Sequence, residues 1–336
     1  MQFTVQNRAA ADFAGLAASP DVQVLADDFN GDGTADLALV NHEAGWTSVP
    51  IALSGATGFT IQNVSAPDFA SLAANPDVEA VPGDFDGDGK ADIALINQEA
   101  GWTSVPIALS GATGFTLENL SSPSFAAFAA SPDVQVLADD FNGDGKTDLA
   151  LINQEAGWTS VPIALSGATG FTLENLSSPS FAALAASSDV EAVAGDFNGD
   201  GTADIALINH AVGWNTVPIA LTFTNGLTIE NRPAADFAAL AASRDVTVLP
   251  EDFNNDGTTD LALINQEAGW TSVPVALSGV AGFTIDNVSA PDFAGLAANS
   301  SVTAVAADFN GDGMADLGLI NQAPGWNSVP VALTLA

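Results

Sequence analysis

The chain has 336 residues, 47% of them hydrophobic, with no cysteine and a formal net charge of −36. Its five Lys and Arg residues cannot neutralise a phosphate backbone, so we expect no binding to nucleic acid or to anionic membranes. No stretch approaches the ~20 apolar residues that insertion into a bilayer requires, and disulfide and thiolate chemistry are excluded.

The chain begins with MQFTVQNRAA, which lacks the features of a signal peptide and so assigns no compartment. Residues 3–7 (FTVQN) match residues 59–63 (FTIQN) one period of 56 residues later. Six such repeats account for all 336 residues. Because closed repeat folds behave as one cooperative body, the sequence predicts a single domain over residues 1–336.

Each repeat predicts four short strands, which in the first repeat cover residues 21–26, 35–41, 46–53 and 59–64. Gly-rich turns separate these apolar segments, as at residues 54–58, and this spacing is typical of an all-β array. The second strand is apolar on both faces, which favours a sheet that is covered on both sides. Pro50 interrupts the third strand, so we expect irregular pairing there.

A short helix is predicted between successive repeats, at residues 65–74 in the first linker. Ser65 is the expected N-cap, and Pro67 falls in the first turn. Phe69, Leu72 and Ala73 form an apolar stripe at helical spacing, which predicts that one face of the helix is buried.

The C-terminus stops after the third strand of its repeat, and the N-terminus carries the missing fourth strand. Ring closure explains this division, whereas an open solenoid would need polar caps at both ends. The sequence therefore predicts an all-β fold, a six-bladed β-propeller of four-stranded blades, whose ring is closed by the N-terminal strand completing the last blade.

An Asp-rich loop of pattern DxNxDGxxD follows the first strand of every repeat. Oxygen-bearing side chains at loop positions 1, 3, 5 and 9, with a backbone carbonyl at position 7, suit a hard cation such as Ca²⁺. The same residues are also common in plain turns, but the recurrence in six copies favours metal. The EF-hand fits poorly because position 12 is apolar and the flanks are strands. The predicted ligand positions are Asp28, Asn30, Asp32, Thr34, Asp36, Asp84, Asp86, Asp88, Lys90, Asp92, Asp140, Asn142, Asp144, Lys146, Asp148, Asp196, Asn198, Asp200, Thr202, Asp204, Asp252, Asn254, Asp256, Thr258, Asp260, Asp308, Asn310, Asp312, Met314 and Asp316.

Each repeat also carries one tryptophan and one strand-end asparagine beside a polar turn. A tryptophan at such a turn is either a packing residue or a stacking platform for a pyranose, and the asparagine is either a turn residue or a hydrogen-bonding partner of the sugar. The candidate carbohydrate-binding residues are Trp46, Trp102, Trp158, Trp214, Trp270, Trp326, Asn41, Asn97, Asn153, Asn209, Asn265 and Asn321. His42 and His210 alternate with Gln at one position, which favours hydrogen bonding over catalysis.

The combination of the DxNxDGxxD loop, the GW[TN][ST]VP[IV]AL segment and the GFT[IL]xN segment resembles the Psathyrella velutina lectin group of propellers, within the integrin-like FG-GAP/VCBS repeat class. The resemblance covers essentially every residue. It implies a β-propeller with calcium in each blade and N-acetylglucosamine or related sugars bound between adjacent blades. In the linker helix, where that family has an aromatic residue, this chain has Leu16, Leu72, Phe128, Leu184, Leu240 and Leu296.

These features predict a calcium-stabilised, multivalent carbohydrate-binding protein with about one Ca²⁺ per blade, glycans as partners and a monomeric state. The alternative is a non-enzymatic scaffold or protein-interaction propeller, natural or designed, which binds calcium but no sugar; the nearly identical repeats favour it. We expect no enzyme, because no nucleophile–base pair is evident. A need for calcium favours an extracellular setting.

Overall fold

The computed structural model describes residues 1–55, 58–112, 114–167, 170–223, 226–279 and 281–335. Ala56 and Thr57, which belong to the predicted turn at residues 54–58, lie outside these ranges. In chain order the elements of the first half are β1 (Gln2–Ala9), α1 (Ala11–Ala17), β2 (Val22–Asp27), β3 (Asp36–Asn41), β4 (Ser48–Leu53), β5 (Thr60–Ser65), α2 (Pro67–Ala73), β6 (Val78–Gly83), β7 (Asp92–Asn97), β8 (Ser104–Leu109), β9 (Thr116–Ser121), α3 (Pro123–Ala129), β10 (Val134–Asp139), β11 (Asp148–Asn153), β12 (Ser160–Leu165) and β13 (Thr172–Ser177). Those of the second half are α4 (Pro179–Ala185), β14 (Val190–Gly195), β15 (Asp204–Asn209), β16 (Thr216–Phe223), β17 (Gly226–Pro233), α5 (Ala235–Ala241), β18 (Val246–Glu251), β19 (Asp260–Asn265), β20 (Ser272–Leu277), β21 (Thr284–Ser289), α6 (Pro291–Ala297), β22 (Val302–Ala307), β23 (Asp316–Asn321) and β24 (Ser328–Leu335).

The strands form six antiparallel sheets of four strands each, which confirms the six-bladed propeller. Blade 1 is β2–β5, blade 2 is β6–β9, blade 3 is β10–β13, blade 4 is β14–β17 and blade 5 is β18–β21. Blade 6 has the order β1-β24-β23-β22, so the N-terminal strand completes the last blade, as predicted. The innermost strands of neighbouring blades contact one another around the whole ring, including β22 with β2.

The hydrophobic core lies between adjacent blades. Between blades 1 and 2, Ala38 and Val40 of β3 pack with Ile93 and Leu95 of β7, and Phe69 of α2 covers them. The second strand of each blade is buried on both faces because each face meets a neighbouring blade. Small alanines on this strand let the blades approach closely, as the sequence pattern indicated.

The third strand is irregular where proline was expected to disturb it. Strand β4 pairs with β5 over its full length but with β3 only at Leu37↔Ala52 and Ala38↔Ile51. Pro50, the residue before Ile51, has no N–H to donate to β3, and the pairing ends there. The expected irregularity at Pro50 is therefore confirmed.

The linker helix corrects one detail of the sequence analysis. Helix α2 is flanked by Ala66 as its N-cap, with no side-chain capping bond, so Ser65 as N-cap is wrong. Ser65 pairs with Ser48 as the last residue of β5, and this strand pairing takes precedence over the capping preference. The buried stripe of the helix is confirmed, since Phe69 and Ala73 are each 1% exposed.

Each blade has two ends that differ in their chemistry. The loop end carries the Asp-rich loop between the first and second strands and the turn between the third and fourth. The tryptophan end carries the turn between the second and third strands, with its tryptophan, and the linker helix. None of the helices in the described ranges is long and apolar enough to cross a membrane.

Candidate functional site

The first aspartate of each Asp-rich loop organises the loop backbone around its carboxylate. In blade 1, Asp28 Oδ1 accepts hydrogen bonds from the backbone N–H groups of Gly31 (2.7 Å) and Asp32 (3.2 Å), and Oδ2 accepts one from Gly33 (2.7 Å). Gly33 has φ +83°, a left-handed conformation that glycine adopts without strain. The loop is thus a tight turn whose backbone N–H groups wrap around the Asp28 carboxylate.

The aspartate at position 9 is the most buried group of the loop. Asp36, Asp92, Asp148, Asp204, Asp260 and Asp316 are each 0% exposed. Burial is the largest cause that raises the pKa of every one of them to about 7, and the neighbouring loop carboxylates add to it. A buried carboxylate that faces other carboxylates is stabilised when it binds either a proton or a cation, because each removes the uncompensated negative charge.

Two of these buried aspartates retain an oxygen without a hydrogen-bond partner. Among the described residues, Asp148 Oδ2 and Asp260 Oδ2 have none. In blade 1 the same oxygen of Asp36 accepts a bond from Asn30 Nδ2 at 3.0 Å, and Asn198 and Asn310 do the same in blades 4 and 6. An unpaired buried carboxylate oxygen is costly unless a cation satisfies it.

Blade 2 has the densest group of carboxylates, because position 3 is aspartate instead of asparagine. Oxygens of Asp84, Asp86 and Asp88 all lie within 4.8 Å of one another. Lys90 Nζ contacts Asp88 Oδ2 at 2.9 Å, and Lys146 Nζ of the next blade donates to the Asp86 carbonyl at 2.6 Å. These are the only two lysines in the sequence, and both lie at this loop. The donor set is entirely oxygen, which fits Ca²⁺.

The six loops are joined to one another by backbone hydrogen bonds. The N–H of the residue at position 8 of each loop donates to the carbonyl of the first aspartate in the preceding blade. The six bonds are Ala35 to Asp308 (2.7 Å), Ala91 to Asp28 (2.8 Å), Thr147 to Asp84 (2.8 Å), Ala203 to Asp140 (2.8 Å), Thr259 to Asp196 (2.7 Å) and Ala315 to Asp252 (2.9 Å). They form a closed belt that links every loop directly to its two neighbours.

The central channel contains carboxylates that the sequence analysis did not single out. Asp27, Asp139 and Glu251 precede the loops of blades 1, 3 and 5, whereas blades 2, 4 and 6 have Gly83, Gly195 and Ala307 there. Desolvation between the blades raises the pKa of Asp27 and Asp139 to about 6 and of Glu251 to about 8. The sequence shows that an acidic residue in one repeat alternates with glycine or alanine in the next. Only the closed ring brings the three acidic groups together.

The candidate asparagines act as turn residues at the tryptophan end. Asn97 Oδ1 accepts a hydrogen bond from the Glu99 N–H at 3.0 Å, and the equivalent bond is present in every blade at 2.8–3.2 Å. This bond uses the amide oxygen inside the turn. Hydrogen bonding to a sugar would therefore rely on the amide Nδ2, which in blade 1 already donates to the Glu43 carbonyl at 3.0 Å.

The candidate tryptophans are half-buried against the linker helices. Trp158 packs edge-on to Phe128 of α3, with ring centroids 5.4 Å apart, and lies beside Phe181 of α4. Trp102 lies in the hydrophobic cluster that also contains Leu72. The structure thus brings together the tryptophan and the linker position that the sequence marked separately. The crevice that Trp158 and Asn153 line has a volume of about 10 Å³, far below that of a pyranose site.

The histidines join neighbouring blades, as their exchange with glutamine indicated. His210 Nε2 lies 2.7 Å from Glu191 Oε2, and Nδ1 lies 3.0 Å from the Ala241 carbonyl. Gln154, at the same position in blade 3, donates to the Val190 carbonyl at 2.6 Å. Both residue types therefore link one blade to the next by hydrogen bonds.

Larger grooves between blades lie towards the loop end. The groove between blades 1 and 2 has a volume of about 440 Å³ and is lined by Phe29, Val64, Lys90 and Phe115. The groove between blades 3 and 4 has about 370 Å³ and is lined by Phe141, Glu174, Leu176 and Asp200. The sequence analysis gave no signal for these grooves, because their walls come from residues of two different repeats.

Comparisons with known proteins agree with this architecture. The FG-GAP-like repeat family matches residues 28–95 and 140–207. No curated protein matches the sequence. Among solved structures, an Agrocybe aegerita lectin described for its recognition of non-reducing terminal N-acetylglucosamine is 21% identical, with a TM-score of 0.62 over 94% of this chain and 80% of the lectin.

An intramolecular trans-sialidase from Ruminococcus gnavus is also similar, at 9% identity and a TM-score of 0.50 over 97% of both chains. At these identities the similarity concerns the fold alone, and a propeller fold serves both binding proteins and enzymes. The chain is therefore a six-bladed β-propeller in which residues 28–95 and 140–207 match the FG-GAP-like repeat family, and its fold is similar to that of the Agrocybe aegerita lectin.

Proposed function

We propose that this propeller is a calcium-stabilised, multivalent carbohydrate-binding protein that takes N-acetylglucosamine-type sugars at the junctions between blades. The observation that carries the proposal is the sixfold recurrence of a half-buried tryptophan beside an exposed polar turn, next to the linker helix of the adjoining blade. The exposed part of each indole offers an apolar platform for a pyranose, and the turn residues supply polar groups. The similarity in fold to a lectin supports this assignment.

Calcium would be held by the oxygens of loop positions 1, 3, 5 and 9, together with the position 7 carbonyl. The all-oxygen donor set, the unpartnered oxygens of Asp148 and Asp260, and the carboxylates within 4.8 Å in blade 2 support a hard cation there. Its contribution would be stabilisation of the folded ring, because bound metal removes the repulsion among buried carboxylates. The residues at the tryptophan end would contact the sugar.

Several weak sites on one rigid body suit a glycan-covered surface. Linking equivalent sites raises the effective concentration of each one, so that avidity exceeds single-site affinity. A net charge of −36 keeps the protein away from nucleic acid and anionic lipid, which leaves neutral glycans as the expected partners.

The test is a glycan array in millimolar Ca²⁺, followed by calorimetric titration with N-acetylglucosamine oligosaccharides and crystals soaked with the same ligands. We expect sugar density against the tryptophans and a stoichiometry above one. Trp102→Ala should remove one site from the stoichiometry and leave the affinity of the others unchanged. Val212→Ala is the matched control: this residue is 87% exposed in a tryptophan-end turn where most blades have alanine, so stoichiometry should stay constant.

A non-enzymatic scaffold or protein-interaction propeller is the second candidate. It is favoured by the small crevice of about 10 Å³ at Trp158 and by the packing of that indole against Phe128. Folded, calcium-loaded protein that binds no glycan on the array and shows no sugar density would establish this candidate and reject the lectin.

A further inference from the structure

Two of the six inter-blade grooves are filled by the protein's own arginines. Arg8 on β1 and Arg232 on β17 occupy the same position of the repeat and are only 4% and 7% exposed. Arg8 Nη1 donates to the Phe309 carbonyl at 3.0 Å, and its guanidinium lies 5.8 Å from the centroid of the Phe59 ring. These arginines close the grooves between blades 6 and 1 and between blades 4 and 5.

The contacts of Arg232 define the chemistry that such a groove accepts. Its Nη1 donates to the Phe197 carbonyl at 2.7 Å, and its Nε lies 3.5 Å from Glu230 Oε2. Phe283 of the next blade packs edge-on against Phe197, with ring centroids 6.4 Å apart, so the groove offers apolar walls to the stem of an arginine. The groove therefore provides a carbonyl acceptor, a carboxylate and apolar walls for one guanidinium group.

The groove between blades 3 and 4 has the same acceptors without an arginine. The residues equivalent to Phe197 and Glu230 are Phe141 and Glu174, one repeat earlier, and both line the groove. Leu176 stands where blade 4 has Arg232. Within the described residues, the Phe141 carbonyl accepts no hydrogen bond. The acceptors that hold Arg232 in one groove thus have no arginine partner in the neighbouring one.

One wall residue sets this groove apart from its counterparts. Leu227 stands where the other blades have phenylalanine, and it packs in the same cluster as Phe141 and Leu176. The groove has a volume of about 370 Å³, which is large enough for an arginine side chain. The whole chain carries a net charge of −36, which attracts basic partners.

We propose that the groove between blades 3 and 4 binds an arginine side chain of a basic partner protein, in the manner in which Arg232 fills the adjacent groove. The guanidinium donates to the Phe141 carbonyl and pairs with Glu174, and its stem packs on Leu176 and Leu227. The site is separate from the tryptophan end, so its occupancy is independent of sugar binding.

The experiment titrates the calcium-loaded full chain with N-acetyl-arginine amide, using calorimetry and NMR of labelled leucine methyl groups. N-acetyl-lysine amide and N-acetyl-citrulline amide serve as controls, because lysine lacks the planar fork and citrulline lacks the charge. We expect the arginine compound to bind, with shifts at the methyl groups of Leu176 and Leu227, and the controls to bind at least about tenfold more weakly.

Three variants test whether the arginine compound binds in this groove. Leu176→Arg should fill the groove as Arg232 does and abolish binding, and the fold already tolerates arginine at this position in two blades. Leu120→Arg, the same substitution in the groove between blades 2 and 3, is the matched control and should leave binding unchanged. Glu174→Gln should weaken binding about two- to fivefold, as expected for a partly exposed ion pair.

Four outcomes would overturn the proposal. They are no binding of the arginine compound to folded wild-type protein at high millimolar concentration, equal binding of the citrulline compound, binding that survives in Leu176→Arg, and displacement of the arginine compound by N-acetylglucosamine. The last outcome would place the sugar in this groove. A negative glycan array would reject the lectin function and leave this test unaffected.

Discussion

The loop end and the tryptophan end of the propeller are equally periodic in sequence but are joined from blade to blade in different ways. At the loop end, backbone hydrogen bonds of 2.7–2.9 Å connect each loop to the next in a closed belt. At the tryptophan end, side chains such as Gln154 and His210 make the connection, and they differ from blade to blade. Backbone bonds impose one geometry on all six loops, whereas side-chain bonds allow each tryptophan turn to vary separately.

Removal of calcium should give the largest effect, since all six loops respond together. We expect excess EDTA to lower Tm by about 10 °C or more relative to millimolar Ca²⁺, because buried carboxylates then repel one another. Melting followed by circular dichroism measures this, with Mg²⁺ as the control ion. Identical melting curves with and without chelator would show that the belt is stable without metal.

The pH dependence of the metal-free protein should be the next largest effect. Burial raises the pKa of the six position 9 aspartates to about 7, above their ordinary value of 3.8. The folded state then binds more protons than the unfolded state. The protonated aspartates therefore contribute to the free energy of unfolding at low pH, and this contribution is lost as pH rises through about 7. In EDTA we expect Tm to be about 5 °C or more higher at pH 5 than at pH 8.

Calcium should reverse that trend, because protons compete with the metal for the same oxygens. A metal-free protein that becomes more stable as pH rises from 5 to 8 would contradict the burial of these carboxylates in solution.

A single substitution at each end of blade 3 compares the two ends directly. Asp148→Ala removes a carboxylate that accepts the Ser166 N–H at 2.6 Å and leaves that donor unpaired, so Tm should fall by about 2–5 °C in calcium. Glu155→Ala, in the exposed tryptophan-end turn of the same blade, should change Tm by less than about 1 °C. Equal shifts would show that the two ends contribute equally to stability.

The smallest expected effect is at the tryptophan end of blade 4. Burial opposes the charge on His210, but its bonds to Glu191 and two carbonyls raise its pKa above the ordinary value of 6.5. The protonated His210 therefore stabilises the folded state at low pH, and this stabilisation is lost as pH rises through the raised pKa. Wild-type protein should therefore melt about 1–2 °C above His210→Gln at pH 6, and the difference should shrink at pH 8. A constant difference across this range would exclude a titrating His210.

The elements that local pattern controls were predictable, and their bounds shifted by only a few residues. The third strand, expected at residues 46–53, begins at Ser48 because Trp46 turns into the inter-blade core instead of extending the sheet. The N-cap was misassigned because Ser65 was needed by strand β5. In both cases contacts with another strand or blade outweigh the preference of the local sequence.

The sequence by itself determined the number of blades, the four strands in each, the closure of the ring by β1 and the recurrence of an oxygen-rich loop in every repeat. All of these follow from spacing within one repeat or from the period of 56 residues. Only the tertiary structure decided which grooves are open, that Arg8 and Arg232 fill two of them, that the loops form one belt, and that the carboxylates of alternate blades meet in the channel. Those properties depend on side chains of neighbouring blades, which are brought into contact only when the ring closes.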